Sequence, residues 1–458
     1  MDKNVSVSEY VKEEIDYSAV LELALEIGVG LLSCGGSVSR VETAVDRICR
    51  AYGAEEANVA AFPSMVIASI RTPDGKEKSF MKRVYSTSNN LSLLEKFNQL
   101  SRDVCTHKYP TEEALKLCYR VAHDKPRNKW ITIGGSALVA GTYSIFFGGS
   151  IADFLPAVIV AFAMALVSEL LSTRSLNVYA TTFLLSLLGG LLSVSLCKLF
   201  VVCGLQVHGS RVMIGTIMIL VPGLLTTNAV RDMFTGDLMS GTFQMLNGIL
   251  ITLVIAAGYG VSVLVLRSIS DFVPYAARTG WQYYVYFLVS GTLGAASVCL
   301  FFNMRLKRIG WAVLASAVTL GLYVGVSELF PKGDVFMPIF IATLFAGLLS
   351  EVFARFIKMP ATVVLVPAII AYVPGSSLYY AVQAIVEGDM ATATENGKVC
   401  LLTLLALAVG ICVATVLFRV ISPVKLKFYK KNKLAEMKKA VKYNGDNKEN
   451  INEEKKDT

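Results

Sequence analysis

Val221-Pro222-Gly223 and Val373-Pro374-Gly375 interrupt two long apolar runs, and each is followed 13 residues after its glycine by a Gly-Asp pair, Gly236-Asp237 and Gly388-Asp389. Upstream, Gly190-Leu191-Leu192-Ser193 recurs as Gly347-Leu348-Leu349-Ser350, and Val167-Ser168-Glu169-Leu170 recurs as Val326-Ser327-Glu328-Leu329. Single short apolar words repeat by chance. Four of them in the same order, at spacings of 152 to 159 residues, point to an internal duplication.

The surrounding chain sets the class of molecule. Only 17% of its 458 residues are charged, 54% are hydrophobic, and the mean hydropathy is +0.55. Soluble domains average about 25% charged residues. The charge that is present concentrates in residues 1–129 and after Ser422. Between them, apolar blocks long enough to cross a hydrocarbon core of about 30 Å predict ten spans, at about 131–148, 152–171, 178–203, 211–230, 240–267, 281–302, 310–329, 335–356, 361–382 and 396–421. The duplicated unit then holds five spans, residues 130–270 and 280–422. An odd number forces the second copy to insert upside down, and inverted repeats are a hallmark of secondary transporters. The expected fold is an all-α polytopic membrane protein of two inverted five-helix repeats, preceded by a small α+β cytosolic domain.

Orientation follows from Lys and Arg in the short loops. With the N-terminus inside, Arg174, Arg231, Arg305, Lys307, Arg308, Arg355 and Lys358 fall inside, and Arg211, Arg267, Arg278 and Lys332 outside. The Lys-rich tail, residues 423–458, also falls inside. Its cluster from Lys425 to Lys433 reads as a membrane-flanking basic segment, and the net charge of +8 is not taken as a nucleic-acid signal. The first residues lack the apolar region of a cleavable signal. A plasma-membrane protein with both termini cytoplasmic is expected. The nine cysteines form no CxxC pair and no metal-ligand spacing, and the four in the N-terminal part read as reduced core residues. No cofactor or metal is expected.

Residues 1–129 read as α-α-β-β-α-α. A helix from Tyr17 to Ser33 stops at Gly35-Gly36. A second starts at Ser39, with Glu42 three residues on completing a capping box, and ends at Gly53. Val59–Ile70 and Lys76–Tyr85 read as strands around the turn Thr72-Pro73-Asp74-Gly75, with Pro63 marking an edge or bulge. Helices at about Asn90–Cys105 and Glu112–His123 follow. Arg40, Glu42, Asp46, Arg47 and Arg50 read chiefly as a solvated face with i,i+4 pairs such as Asp46–Arg50.

In the membrane body, ionisable groups are costly and serve as functional candidates by default. Glu169 and Glu328 are a matched pair able to carry a proton or meet a solute ammonium; the competing reading is that they snorkel to water at the span ends. Glu351 is a third candidate, with a pair to Arg355 as its structural explanation. Pro222-Gly223 and Pro374-Gly375 predict breaks whose freed carbonyls and half-helix N-termini can meet a solute; the alternative is a packing kink. Thr226, Thr227 and Asn228 follow on span four. Asp237 and Asp389 are weaker candidates that fit loops. The small-residue runs around Gly134, Gly141 and Gly189 fit close helix packing.

The segments Gly36-Ser37-Val38-Ser39-Arg40-Val41-Glu42, Gly53 and Ala61-Phe62-Pro63-Ser64-Met65 resemble the cytosolic head of the threonine/serine exporter family. The next five spans are similar to that family's N-terminal half. The last five are similar to its smaller second component, here fused into one chain. The resemblance covers all but the tail. It implies export of small hydrophilic amino acids driven by the proton motive force, and split two-gene relatives imply dicarboxylate (succinate) export as the alternative. It transfers no substrate-contacting residue. The expected partners are an amino-acid substrate, protons and the lipid bilayer, with a homo-oligomer left open. Few cations lie mid-span, which favours an amino acid over a dicarboxylate. A ligand-sensing membrane scaffold is a third reading, but it needs no paired inverted breaks. No HExxH or GxSxG supports an intramembrane enzyme.

Overall fold

The computed structural model describes residues 15–85, 87–107, 109–124, 128–174, 176–266, 280–331, 333–418 and 420. The basic tail, Arg267, Arg278 and Lys332 lie outside these residues, as do the side chains of Thr227 and Arg231.

The N-terminal segment holds α1 (Tyr17–Ser33), α2 (Val38–Ala51), β1 (Glu56–Phe62), β2 (Met65–Arg71), β3 (Glu77–Arg83), α3 (Leu91–His107) and α4 (Thr111–Ala122). The strands form an antiparallel sheet in the order β1-β2-β3. α1 is its central stay. Val20, Leu23, Ala24, Ile27 and Leu31 are all fully buried, as the 3.6-residue spacing requires. Gly35 (φ 87°) and Gly53 (φ 96°) end α1 and α2 in the left-handed region that favours glycine. The Asp46–Arg50 pair is present at 2.7 Å.

Two expectations are corrected here. Val59–Ile70 is not one strand. Pro63 and Ser64 form a two-residue turn that closes a hairpin, pairing Phe62 with Met65. A proline that cannot donate to the ladder is accommodated at the turn rather than at an edge. The Ser39/Glu42 capping box is also absent. α2 begins at Val38, so Ser39 is already helical and its carbonyl accepts from the Thr43 hydroxyl. Glu42 instead reaches to β1 and accepts the Ala61 N–H at 3.0 Å.

The helices that follow are α5 (Lys129–Phe146), α6 (Phe154–Ser172), α7 (Val178–Val202), α8 (Gly209–Leu220), α9 (Gly223–Thr235), α10 (Leu238–Val265), α11 (Trp281–Phe301), α12 (Leu306–Ser327), α13 (Phe336–Ile357), α14 (Ala361–Ile369), α15 (Gly375–Glu387) and α16 (Met390–Phe418). Single 3₁₀ turns, Ile151–Asp153 and Ile370–Tyr372, precede α6 and follow α14. Among the described residues, eight helical stretches are long and apolar enough to cross a bilayer, and the chain is a multi-pass membrane protein. The first and fourth of the ten expected spans are not among the eight. α5 is diluted by Lys129 and by glycine, serine and threonine. The fourth is cut at Val221-Pro222 into two pieces, α8 being only 12 residues long.

The two proline–glycine breaks share one backbone form. Pro222 has φ −79°, ψ 57° and Pro374 has φ −77°, ψ 51°. Each opens a 13-residue helix, α9 or α15, which ends in a left-handed glycine, Gly236 or Gly388. The breaks cross one another reciprocally. A β-carbon on Gly223 would touch Ile370 and Val373, and one on Gly375 would touch Met218 and Val221. In the register that matches Gly223 with Gly375, these are equivalent residues. The close helix pairs correspond too. Gly258 of α10 packs on Ser186 and the Phe183 carbonyl of α7, and Gly410 of α16 packs on Thr343 and the Phe340 carbonyl of α13. Such glycines let backbones approach where no hydrophobic drive separates helix from lipid. α8–α9 runs toward the N-terminal segment, where Asp232 meets Val38. α15 runs away from it, carrying Tyr380 to Arg211.

Candidate functional site

A cavity of about 370 Å³ opens beside the second break, at the end of the helix bundle opposite the N-terminal segment. Its size is near the lower end of small-molecule pockets, about 300–1,000 Å³. Several elements build it, with Ile339 of α13 and Val399 and Thr403 of α16 closing one part. The end of α5 supplies Phe146, Phe147 and Gly148; the first turn of α8 supplies Arg211; α11 and α12 supply Tyr283, Tyr286, Phe287 and Tyr323; and the second break supplies Tyr372, Val373, Pro374, Ser376 and Ser377. Arg211 is the one lining side chain charged at neutral pH among the described residues. Its Nη1 donates to the Phe147 carbonyl at 2.6 Å, and its guanidinium carbon stands 5.9 Å from the Tyr380 ring centre. Gly148 adopts φ 95° there, and a side chain on it would press toward the guanidinium. The break matters because α15 restarts at Pro374 with no side-chain cap: the Gly375 N–H turns back to the Val373 carbonyl at 2.7 Å, and the N–H groups of Ser376 and Ser377 have no intrahelical acceptor.

The first break is built differently. Asp232 of α9 is fully buried; its Oδ2 accepts the Val38 N–H at 3.3 Å and the Gln244 amide at 2.8 Å. Asn228, one turn earlier, donates to the Gly35 carbonyl at 2.9 Å, and Ser240 donates to the Ala61 carbonyl at 3.3 Å. A carboxylate of α9 therefore caps α2 of the N-terminal segment. Glu42 faces the same corner. Its carboxyl is held above the usual range by burial, and further by the charges of Asp237 and Asp232, against the lowering effect of the Ala61 N–H.

The remaining sequence candidates disperse. Glu169 lies at the exposed end of α6, paired with Lys129 at 3.3 Å. Glu328 caps α12 at the surface and accepts the Tyr284 hydroxyl. Glu351 is half-buried on α13, and Arg355 stacks on Phe418 at 4.3 Å. Asp389 is exposed and holds the first turn of α16 through Thr392. Asp237 starts α10 beside the docked segment. Of the candidates, only Pro374 lines the cavity, with Pro222, Gly223 and Gly375 at the crossing behind it. The sequence alone does not single out Arg211, Tyr372, Ser376 or Asp232. Arg211 reads as a loop charge, and Asp232 falls just past the expected end of span four. Their closeness to the breaks is the available signal. A larger open groove of about 900 Å³ lies between α3 and the α11–α12 loop. Within it, Arg305 and Arg308 pair with Glu95, and Lys96 with Asp124.

A multi-pass bundle with a cavity at crossed, broken helices fits a membrane transporter in class. Comparison with known families is more particular. The family model described as a putative threonine/serine exporter matches residues 22–266, and a further model described as a threonine/serine exporter matches residues 287–417. The chain belongs to the threonine/serine exporter family. It is 23% identical over 423 residues to the threonine/serine exporter of Corynebacterium glutamicum, covering 86% of this chain and 81% of that one. No solved structure matches it.

Proposed function

We propose that this protein exports threonine and serine across the plasma membrane, coupled to the proton motive force, with both termini and the N-terminal domain cytoplasmic. The membrane body is read as two inverted five-helix repeats. Supporting this are the reciprocal contacts at the crossing, the opposite courses of the two broken helices and the paired glycine contacts of α7–α10 and α13–α16. The relative's printed activity, threonine/serine export, agrees with this reading.

The observation that carries the substrate class is the cavity's charge. It offers one cation, Arg211, in a lining otherwise of aromatic, hydroxyl and apolar groups. One carboxylate with a small polar body suits such a site. A dicarboxylate leaves its second charge without a cation, and removing a charge from water without a partner is costly. The test is uptake into proteoliposomes of labelled threonine, serine and succinate, with and without an imposed pH gradient. Gradient-stimulated threonine and serine movement is expected. Succinate preference would promote the dicarboxylate reading, and uptake equal to empty vesicles would end both.

A further inference from the structure

We infer that Arg211 and the first turn of α15 form the receptor for the substrate's carboxylate, in a site selective for free α-carboxylates. This rests on the transport reading above and specifies its chemistry.

Two features line the cavity together. Arg211 supplies a guanidinium, whose planar fork suits a carboxylate. Ser376 and Ser377 stand in the first turn of α15, where their peptide N–H groups have no intrahelical acceptor and the helix dipole favours negative charge. Tyr372 lines the same cavity, while its hydroxyl is buried beside Thr319. Both features donate hydrogen bonds or carry positive charge. Among the described lining residues none is acidic, so the substrate's ammonium is left to the ring faces of Tyr283 and Tyr323.

The proposal separates the carboxylate from the rest of the substrate, and so does its test. In the wild-type full-length chain, threonine should compete with labelled threonine uptake at least tenfold better than threoninol, which lacks only the carboxylate. The same ranking should appear in thermal stabilisation of the purified protein. Arg211→Gln should raise the threonine KM at least tenfold while leaving threoninol inhibition unchanged. Arg211→Lys should recover part of the discrimination. Threoninol competing as well as threonine in the wild type overturns the proposal without any variant, and so does an Arg211→Gln protein that folds and keeps the preference. In either case threonine transport persists and the exporter reading survives. Absence of all transport removes that reading instead, while the stabilisation assay still decides the carboxylate site.

Discussion

The two broken helices start from nearly superposable prolines and end on equivalent glycines, yet their surroundings differ. α9 carries Asn228 and Asp232, and both are consumed in holding the N-terminal segment. At the matching places α15 carries Tyr380 and Ala384, and the space beside its first turn is the cavity. One scaffold thus presents a covered break and an open one. The backbone supplies the interruption, and the side chains along the following helix decide what occupies it.

The comparison breaks most directly at Asp232. Asp232→Ala leaves the buried Val38 N–H and the Gln244 amide without their acceptor, at about 1–3 kcal/mol each. Hydrogen exchange in the first turn of α2 should quicken by an order of magnitude or more; unchanged exchange would mean that α9 does not hold the segment. Next in size is access. Ser377→Cys should react with a water-soluble thiol reagent at least tenfold faster than Thr226→Cys, with exposed Cys203 replaced in both. Native Cys34, Cys49 and Cys118 should stay silent, because burial pushes each thiol up to about 12. Equal rates at the two engineered sites would erase the distinction between the breaks.

The likeness of the halves is sharpened by Gly258→Leu and Gly410→Leu. Each overpacks an equivalent contact and should cost a similar 1–3 kcal/mol or more in thermal unfolding. A drop confined to one half would weaken the correspondence. A smaller effect concerns pH. Because the Glu42 carboxyl is raised in the folded chain, the folded form binds its proton more readily. Stability of the docked segment should therefore fall as pH rises from the ordinary Glu range through the raised value. Glu42→Gln should flatten that slope, measured by α2 exchange against pH. Smallest of all, Glu169→Gln breaks an exposed pair with Lys129, and such pairs are worth about 0–1 kcal/mol. The threonine KM should stay within twofold; a larger rise would return Glu169 to the pathway.

Much of this architecture is legible in the sequence because it is written in local terms. α1 and the ends of α10 to α13 follow apolar periodicity, glycine stops and span length. The breaks follow from proline–glycine chemistry, a ring without an N–H followed by a residue that loosens the helix, whereas Pro367, with no glycine after it, stays inside α14. What was not legible is who meets whom. Glu42 follows Ser39 at capping-box spacing, yet its carboxylate bonds Ala61, a partner set by the α2–β1 packing. Arg211 joins Phe147 and the second break only when α8 lies against α5 and α15, contacts that reach from position 147 to position 380. Glu169 and Glu328 stood out because they match, but matched position at a helix end says nothing about facing the interior.

The N-terminal segment is fastened on both sides of the duplication. Val38 and Gly35 bond α9, while the Leu91 N–H bonds the Phe302 carbonyl and Glu95 receives Arg305 and Arg308. It therefore works as a strap that ties α9 to the α11–α12 loop. Any movement that parts these two places must strip at least one set of those bonds, so the strap sets a threshold for opening this end.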